Sequence, residues 1–177
     1  MQKTALLIVD VQCAMIDSNP FDEVNVIENI RKLIDSARQN DIEVIYVQHD
    51  GGVGDELEKN TSGWEICPKI APLSNEKVID KEFNSAFRKT SLQEHLTEKG
   101  IETIILSGMQ TEFCIDTTCR VAFELGYDVV IPADTTTTYD NIFLIGKEMR
   151  EYYEQGMWNG RFAKVISVEE VIKKYIS

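Results

Sequence analysis

Positive charge is scarce in this chain. Its 177 residues hold 18 lysines and arginines against 30 aspartates and glutamates, a formal net charge of -12. That balance repels a phosphate backbone and the anionic face of a membrane alike, so neither nucleic acid nor a membrane surface is expected as a partner. Long apolar runs are missing too. The longest early one, Ala5 to Val9, stops at Asp10, short of the roughly 18 residues that cross a bilayer and too short for a signal peptide. A cytoplasmic setting is expected, in which Cys13, Cys67, Cys114 and Cys119 are free thiols unless they do chemistry. They include no C-x-x-C pair, which disfavours a thiol redox protein. After the first strand the chain reads Asp10-Val11-Gln12 where a dinucleotide enzyme carries G-x-G-x-x-G. No internal repeat or linker divides the chain, so residues 1–177 are read as one domain of ordinary size.

What the chain does contain is an alternation of short β-branched runs with stretches of helical period. That pattern predicts an α/β fold, a three-layer sandwich around a mostly parallel, Rossmann-like six-stranded sheet. Strands are expected at Thr4 to Val9, Glu43 to Gln48, Lys77 to Ile79, Glu102 to Leu106, Asp128 to Ile131 and Phe162 to Ile166. Val24, Ile27, Ile30, Leu33, Ile34 and Ala37 recur at three- and four-residue spacing and predict a helix with one buried stripe. Ser91 with Glu94, and Ser167 with Glu170, read as capping pairs that open helices. Further helices are expected from about Phe113 to Leu125 and from about Asn141 to Gln155. The segment from His49 to Glu76, with four glycines and two prolines, reads as a long loop of the kind that is usually functional. The threonine run 135–138 reads as a polar strand-end loop, with Asp134 a weak pocket candidate beside it.

In open α/β sheets ligands bind beyond the carboxyl ends of the strands. Three reactive residues fall there: Asp10, Lys81 and Cys114. Each has a plain structural reading, as a turn residue, a solvated lysine and a small buried hydrophobe. Gly108 to Cys114, however, places the last of them in the first turn of a helix, where free N–H groups favour a thiolate. An ordinary thiol is only a few per cent ionised at neutral pH, so a base and a cation beside it are needed, and Asp10 and Lys81 supply them.

These segments resemble the isochorismatase-like cysteine hydrolases, the superfamily that includes nicotinamidases and N-carbamoylsarcosine amidohydrolases. Leu7-Ile8-Val9-Asp10-Val11-Gln12 looks like the family's first-strand motif, Val47-Gln48-His49 its second-strand end and Gly63-Trp64-Glu65 its long-loop motif. Lys81 with Ser85-Ala86-Phe87 resembles the lysine segment, Gly108 to Cys114 the nucleophile motif, and Arg120, Ala122 and Gly126-Tyr127 the helix after it. The resemblance implies a triad of Asp10, Lys81 and Cys114, a cis peptide between Met109 and Gln110, and an oxyanion hole from the backbone N–H groups of Gln110 and Cys114. It also implies that Gln12, His49, Trp64, Phe87 and Phe113 bind substrate, and that the chain forms a dimer or larger homo-oligomer. The activity implied is hydrolysis of an amide or related C–N bond of a small molecule through a thioester. An inactive binding relative and a vinyl-ether hydrolase are the alternatives. No cofactor is implied. The nicotinamidase metal site needs an aspartate and several histidines, and His49 and His95 are too few to build it.

Overall fold

Alternating side chains along the first strand set the layering. In the computed structural model, which describes residues 3–177, β1 (Thr4–Val9) is buried throughout. Ala5, Leu7 and Val9 join one apolar cluster, and Leu6 and Ile8 join another on the opposite face. A strand covered on both sides reads as an unbroken apolar run for this reason. β2 (Glu43–His49), β3 (Lys77–Lys81), β4 (Thr103–Met109), β5 (Asp128–Pro132) and β7 (Lys164–Ile166) join β1 in the order β3-β2-β1-β4-β5-β7. Every pairing is parallel.

The sheet has seven strands where six are expected. The extra one, β6 (Thr136–Thr137), pairs with the end of β4, Gly108 opposite Thr136 and Met109 opposite Thr137. The threonine run is thus no solvated loop, because all four residues are buried. Their hydroxyls find partners inside the fold, as buried polar groups must. Thr135 Oγ1 donates to Pro132 O at 2.7 Å and receives the Ser107 hydroxyl at 3.1 Å, and Thr138 Oγ1 donates to Glu112 at 2.8 Å.

Helices cover both faces. The face of Leu6 and Ile8 is packed by α2 (Glu23–Gln39), following the short α1 (Cys13–Asp17), and by α6 (Val168–Val171). The α2 stripe is Val26, Ile27, Ile30, Leu33, Ile34 and Ala37, whereas Val24 is 61% exposed. One turn before Ile30 the burying position is Val26, since residues four apart share a face. The other face holds α3 (Leu92–Lys99), α4 (Asp116–Glu124) and the helical segment made of α5 (Gly146–Glu151) and the wider turns Tyr152–Trp158. Leu92, Leu96, Cys119, Ala122 and fully buried Trp158 pack there. Ser167 caps α6 by accepting the Glu170 N–H at 3.2 Å. Ser91 does not cap α3; the Thr90 hydroxyl accepts the Leu92 N–H instead, at 3.3 Å. The helix expected from Asn141 begins at Gly146, because the Asn141 and Asp140 carboxamide and carboxylate hold the preceding loop by accepting the N–H groups of Phe143, Leu144 and Gly146. No described helix is long and apolar enough to cross a membrane.

Candidate active site

Sheet register brings the reactive residues together. Val9 stands opposite both Val47 and Gly108, so the ends of β1, β2 and β4 lie side by side. Asp10 follows at once, held by its N–H bond to Val47 O at 2.9 Å and turned into the left-handed region at φ 55, which aspartate tolerates better than most residues. Gly108 is what lets β4 approach. A side chain there would place its Cβ 2.0 Å from Val9 O, at φ +127. His49 and Lys81 are direct register partners on β2 and β3, and paired residues of parallel strands project from the same face.

The Lys81 ammonium lies at the centre. Its Nζ is 2.6 Å from Asp10 Oδ2, 3.0 Å from His49 Nδ1 and 3.3 Å from Cys114 Sγ. An ammonium has three protons and no acceptor, so these three contacts use all it has. His49 Nδ1 must then accept, which assigns the imidazole proton to Nε2. Burial and the Lys81 charge both push the His49 pKa down, consistent with a neutral ring. Asp10 Oδ1 is buried without a hydrogen-bond partner. Burial raises the Asp10 pKa against the opposing pull of Lys81.

Cys114 lies in a π-helical turn, Thr111–Ile115, which leads into α4. Burial, then the Asp10 charge, push its thiol up to about 12 despite Lys81. The resting sulfur is therefore a thiol: burial opposes the thiolate that a helix start and the Lys81 charge favour. The Met109 to Gln110 peptide is cis, as the resemblance implies.

Cys114 forms the floor of a cavity of about 250 Å3 whose walls include Met15, His49, Leu57, Asn84 and Phe113. Of the five residues expected to bind substrate, His49 and Phe113 line this space. Gln12 does not. It is fully buried, with Nε2 donating to His49 O and Trp64 O and Oε1 accepting the His49 N–H, all at 2.8 to 3.0 Å. It ties β2 and the long loop to β1. Trp64 lies behind it, with its carbonyl also accepting the Gln48 amide at 2.9 Å and its ring 5.8 Å from the Lys59 ammonium. Phe87 packs on the core and stacks on Tyr127 at 6.1 Å. Asp134 pairs with Arg150 at 2.9 Å, away from the cavity. Met15, Leu57 and Asn84 went unread in the sequence. No local pattern marked them: Leu57 is buried against Met15 and Met109, whereas Val53 of the same glycine-rich stretch is 97% exposed.

A family model described as the isochorismatase domain matches residues 4–170. The chain belongs to the isochorismatase family of hydrolases. Among its family relatives, the uncharacterized isochorismatase family protein YrdC of Bacillus subtilis is 30% identical, with 99% of this chain and 97% of that one covered. A streptothricin hydrolase of Streptomyces noursei is 34% identical over 77% of this chain and 50% of its own length. The crystal structure of a cysteine hydrolase from Pseudomonas syringae superposes with a TM-score of 0.89 at 25% identity, covering 97% of this chain and 91% of that one.

The donor atoms of Asp10, His49 and Cys114 lie within 4.8 Å of one another, a spacing that could suggest a metal. This isochorismatase-family site does not fit one, because the Lys81 ammonium already fills the position between the three. His95 is engaged with Glu43 at 2.8 Å and supplies no further ligand.

Proposed function

We propose that the protein hydrolyses an amide or related C–N bond of a small molecule through a thioester on Cys114. The observation that carries this reading is the buried Lys81 ammonium in contact with both Asp10 and Cys114, at 2.6 and 3.3 Å, where those two residues line a cavity. Relatives named as a streptothricin hydrolase and a cysteine hydrolase support hydrolysis as the type of reaction.

In the first half-reaction Asp10 takes the Cys114 proton as the sulfur bonds to the substrate carbonyl carbon, and the backbone N–H groups of Gln110 and Cys114 hold the oxyanion. Collapse breaks the C–N bond. The nitrogen leaves with the proton that Asp10 returns, and the thioester remains. Water then attacks the thioester, Asp10 again accepting a proton and passing it back to sulfur. Lys81 keeps its protons throughout. Its role is to hold Asp10 ionised in a site where burial alone would neutralise it, and His49 keeps the ammonium aimed. The thiol stays protonated until substrate arrives, which protects it from idle oxidation. No step calls for a cofactor.

Purified protein offered primary amides, ureas and carbamoyl compounds should release ammonia, and Cys114→Ala should release none. Turnover that survives in Cys114→Ala would overturn the covalent route.

A further inference from the structure

The cavity above Cys114 has a charge of one sign at its rim. Asp55 and Glu56 line it beside Leu57, and both are exposed. Among the described residues that line it, none is a lysine or arginine. Lys81 is 0% exposed at its side chain and saturated by Asp10, His49 and Cys114, and Lys59 of the same loop is paired with Asp80, so neither lines the cavity.

The rim is built rather than loose. Asp55 Oδ1 accepts the Leu57 N–H at 2.8 Å, Gly51 N–H donates to Leu57 O at 3.1 Å, and Gly54 N–H donates to the Glu58 carboxylate at 2.8 Å. A Cβ at Gly51 would fall 2.1 Å from Asp55 Oδ1, and one at Gly63 would fall 2.4 Å from Glu56 O. Two glycines thus open the places where the acidic pair sits, and Leu57 pins the segment into the apolar cluster with Met15. Asp55 and His49 line the same cavity, so the rim carboxylate faces the floor. The acidic pair shares one cavity with Asp10 and Cys114, so a molecule that reaches the sulfur meets Asp55 and Glu56.

We propose that the Asp55 and Glu56 rim selects substrates carrying a positive charge, an ammonium or guanidinium group, beside the bond that Cys114 attacks. The identity of that bond rests on the function proposed above; the charge selection does not. The cavity of about 250 Å3 takes a small molecule, such as an ω-amino alkanamide. A fixed pair of carboxylates raises the local concentration of such a cation and lowers that of a carboxylate-bearing analogue.

Charged thiol reagents test the field without requiring turnover. Aminoethyl, ethyl and sulfonatoethyl methanethiosulfonate each form a mixed disulfide with the Cys114 sulfur, which loses its proton as methanesulfinate leaves. Rates at Cys114 are followed by mass spectrometry and normalised to glutathione. The cationic reagent should outpace the anionic one by roughly tenfold or more, and the ratio should shrink as salt is added. Asp55→Asn with Glu56→Gln should bring the ratio close to unity. The double variant keeps the Leu57 N–H acceptor, and its rate with the neutral reagent reports an intact pocket. Equal rates, a faster anion, or a ratio untouched by the double variant would overturn the proposal. In parallel, pentanamide, its ω-amino derivative and its ω-carboxylate are compared by kcat/KM, with the ω-amino compound expected to lead. Charge ordering of the reagents with none of the amides hydrolysed would support the rim and count against the C–N reading.

Discussion

Burial controls the resting state of Asp10 and Cys114, and it controls how the site should fail. Because burial raises the Asp10 pKa, the acid limb of the kcat/KM profile should lie above the ordinary aspartate value of about 3.9. A limb at or below that value would show that another group is the base. Asp10→Asn keeps the shape but cannot move a proton, so it should be about as damaging as Cys114→Ala, while substrate affinity stays within roughly tenfold. Lys81 carries a stability role as well. Removing one partner of a buried ion pair strands the other charge, at a cost of about 3–5 kcal/mol. Lys81→Met should therefore lower the urea midpoint sharply, and adding Asp10→Asn should recover much of the loss. If the double variant is less stable than Lys81→Met alone, the pair is not the source. Cys114 and Cys119 are both pushed up to about 12, yet only Cys114 lines the cavity beside a base. Brief alkylation should mark Cys114 and spare Cys119, and Asp10→Asn should slow the labelling.

At the scale of elements, two positions show what the fold demands. Gly108→Ala would drive a Cβ to 2.0 Å from Val9 O at φ +127, parting β1 from β4 where Asp10 and the Cys114 turn meet. A loss of at least about 2–3 kcal/mol is expected from such a backbone, together with activity. Gly100→Ala is the control: φ is +65, but no atom lies within 4 Å, so its cost should be only about 1 kcal/mol. Chemical denaturation separates the two. Glu154 lies in the π-helical turns after α5, 5% exposed, with its carboxylate accepting the Asp134 N–H at 3.2 Å. Burial above all pushes its pKa up to about 7 from 4.5. An acid that holds its proton more tightly when folded favours folding at low pH, and that contribution is lost as pH rises from about 4.5 to 7. Glu154→Gln should thus stabilise the protein by on the order of 2–3 kcal/mol at pH 8 and much less at pH 5. An equal gain at both would mean that Glu154 does not titrate there.

The whole molecule carries a formal charge of -12, and self-repulsion of that size works against the folded state. Moving from about 0.01 M to about 0.15 M salt shortens the screening length from roughly 30 to roughly 8 Å. The thermal midpoint should rise across that range. A falling midpoint would mean that surface pairs such as Lys174 with Glu170 at 2.8 Å outweigh the net repulsion.

Read alone, the amino-acid order already determines the alternation of strands and helices, the strand-end position of Asp10, the helix-start position of Cys114, and the Ser167 cap. These depend on patterns a few residues long, where period, capping chemistry and chain punctuation act locally. Lys81 was legible as a residue just past a strand, although β3 in fact runs through it. The rest was decided in three dimensions. Nothing local says that β1 lies between β2 and β4, that His49 faces Lys81 across a register, or that Gly108 must let Val9 pass. Those follow from long-range pairing that buries both faces of the sheet. The same holds for the threonine run, polar in sequence but buried once β6 pairs with β4. It holds too for Gln12, a strut rather than a wall, and for Met15, Leu57 and Asn84, which become walls only when the loop folds over the strand ends. The thiol's proton was decided last of all. The sequence placed Cys114 at a helix start, which favours a thiolate, and the tertiary structure withdrew the water that a thiolate needs.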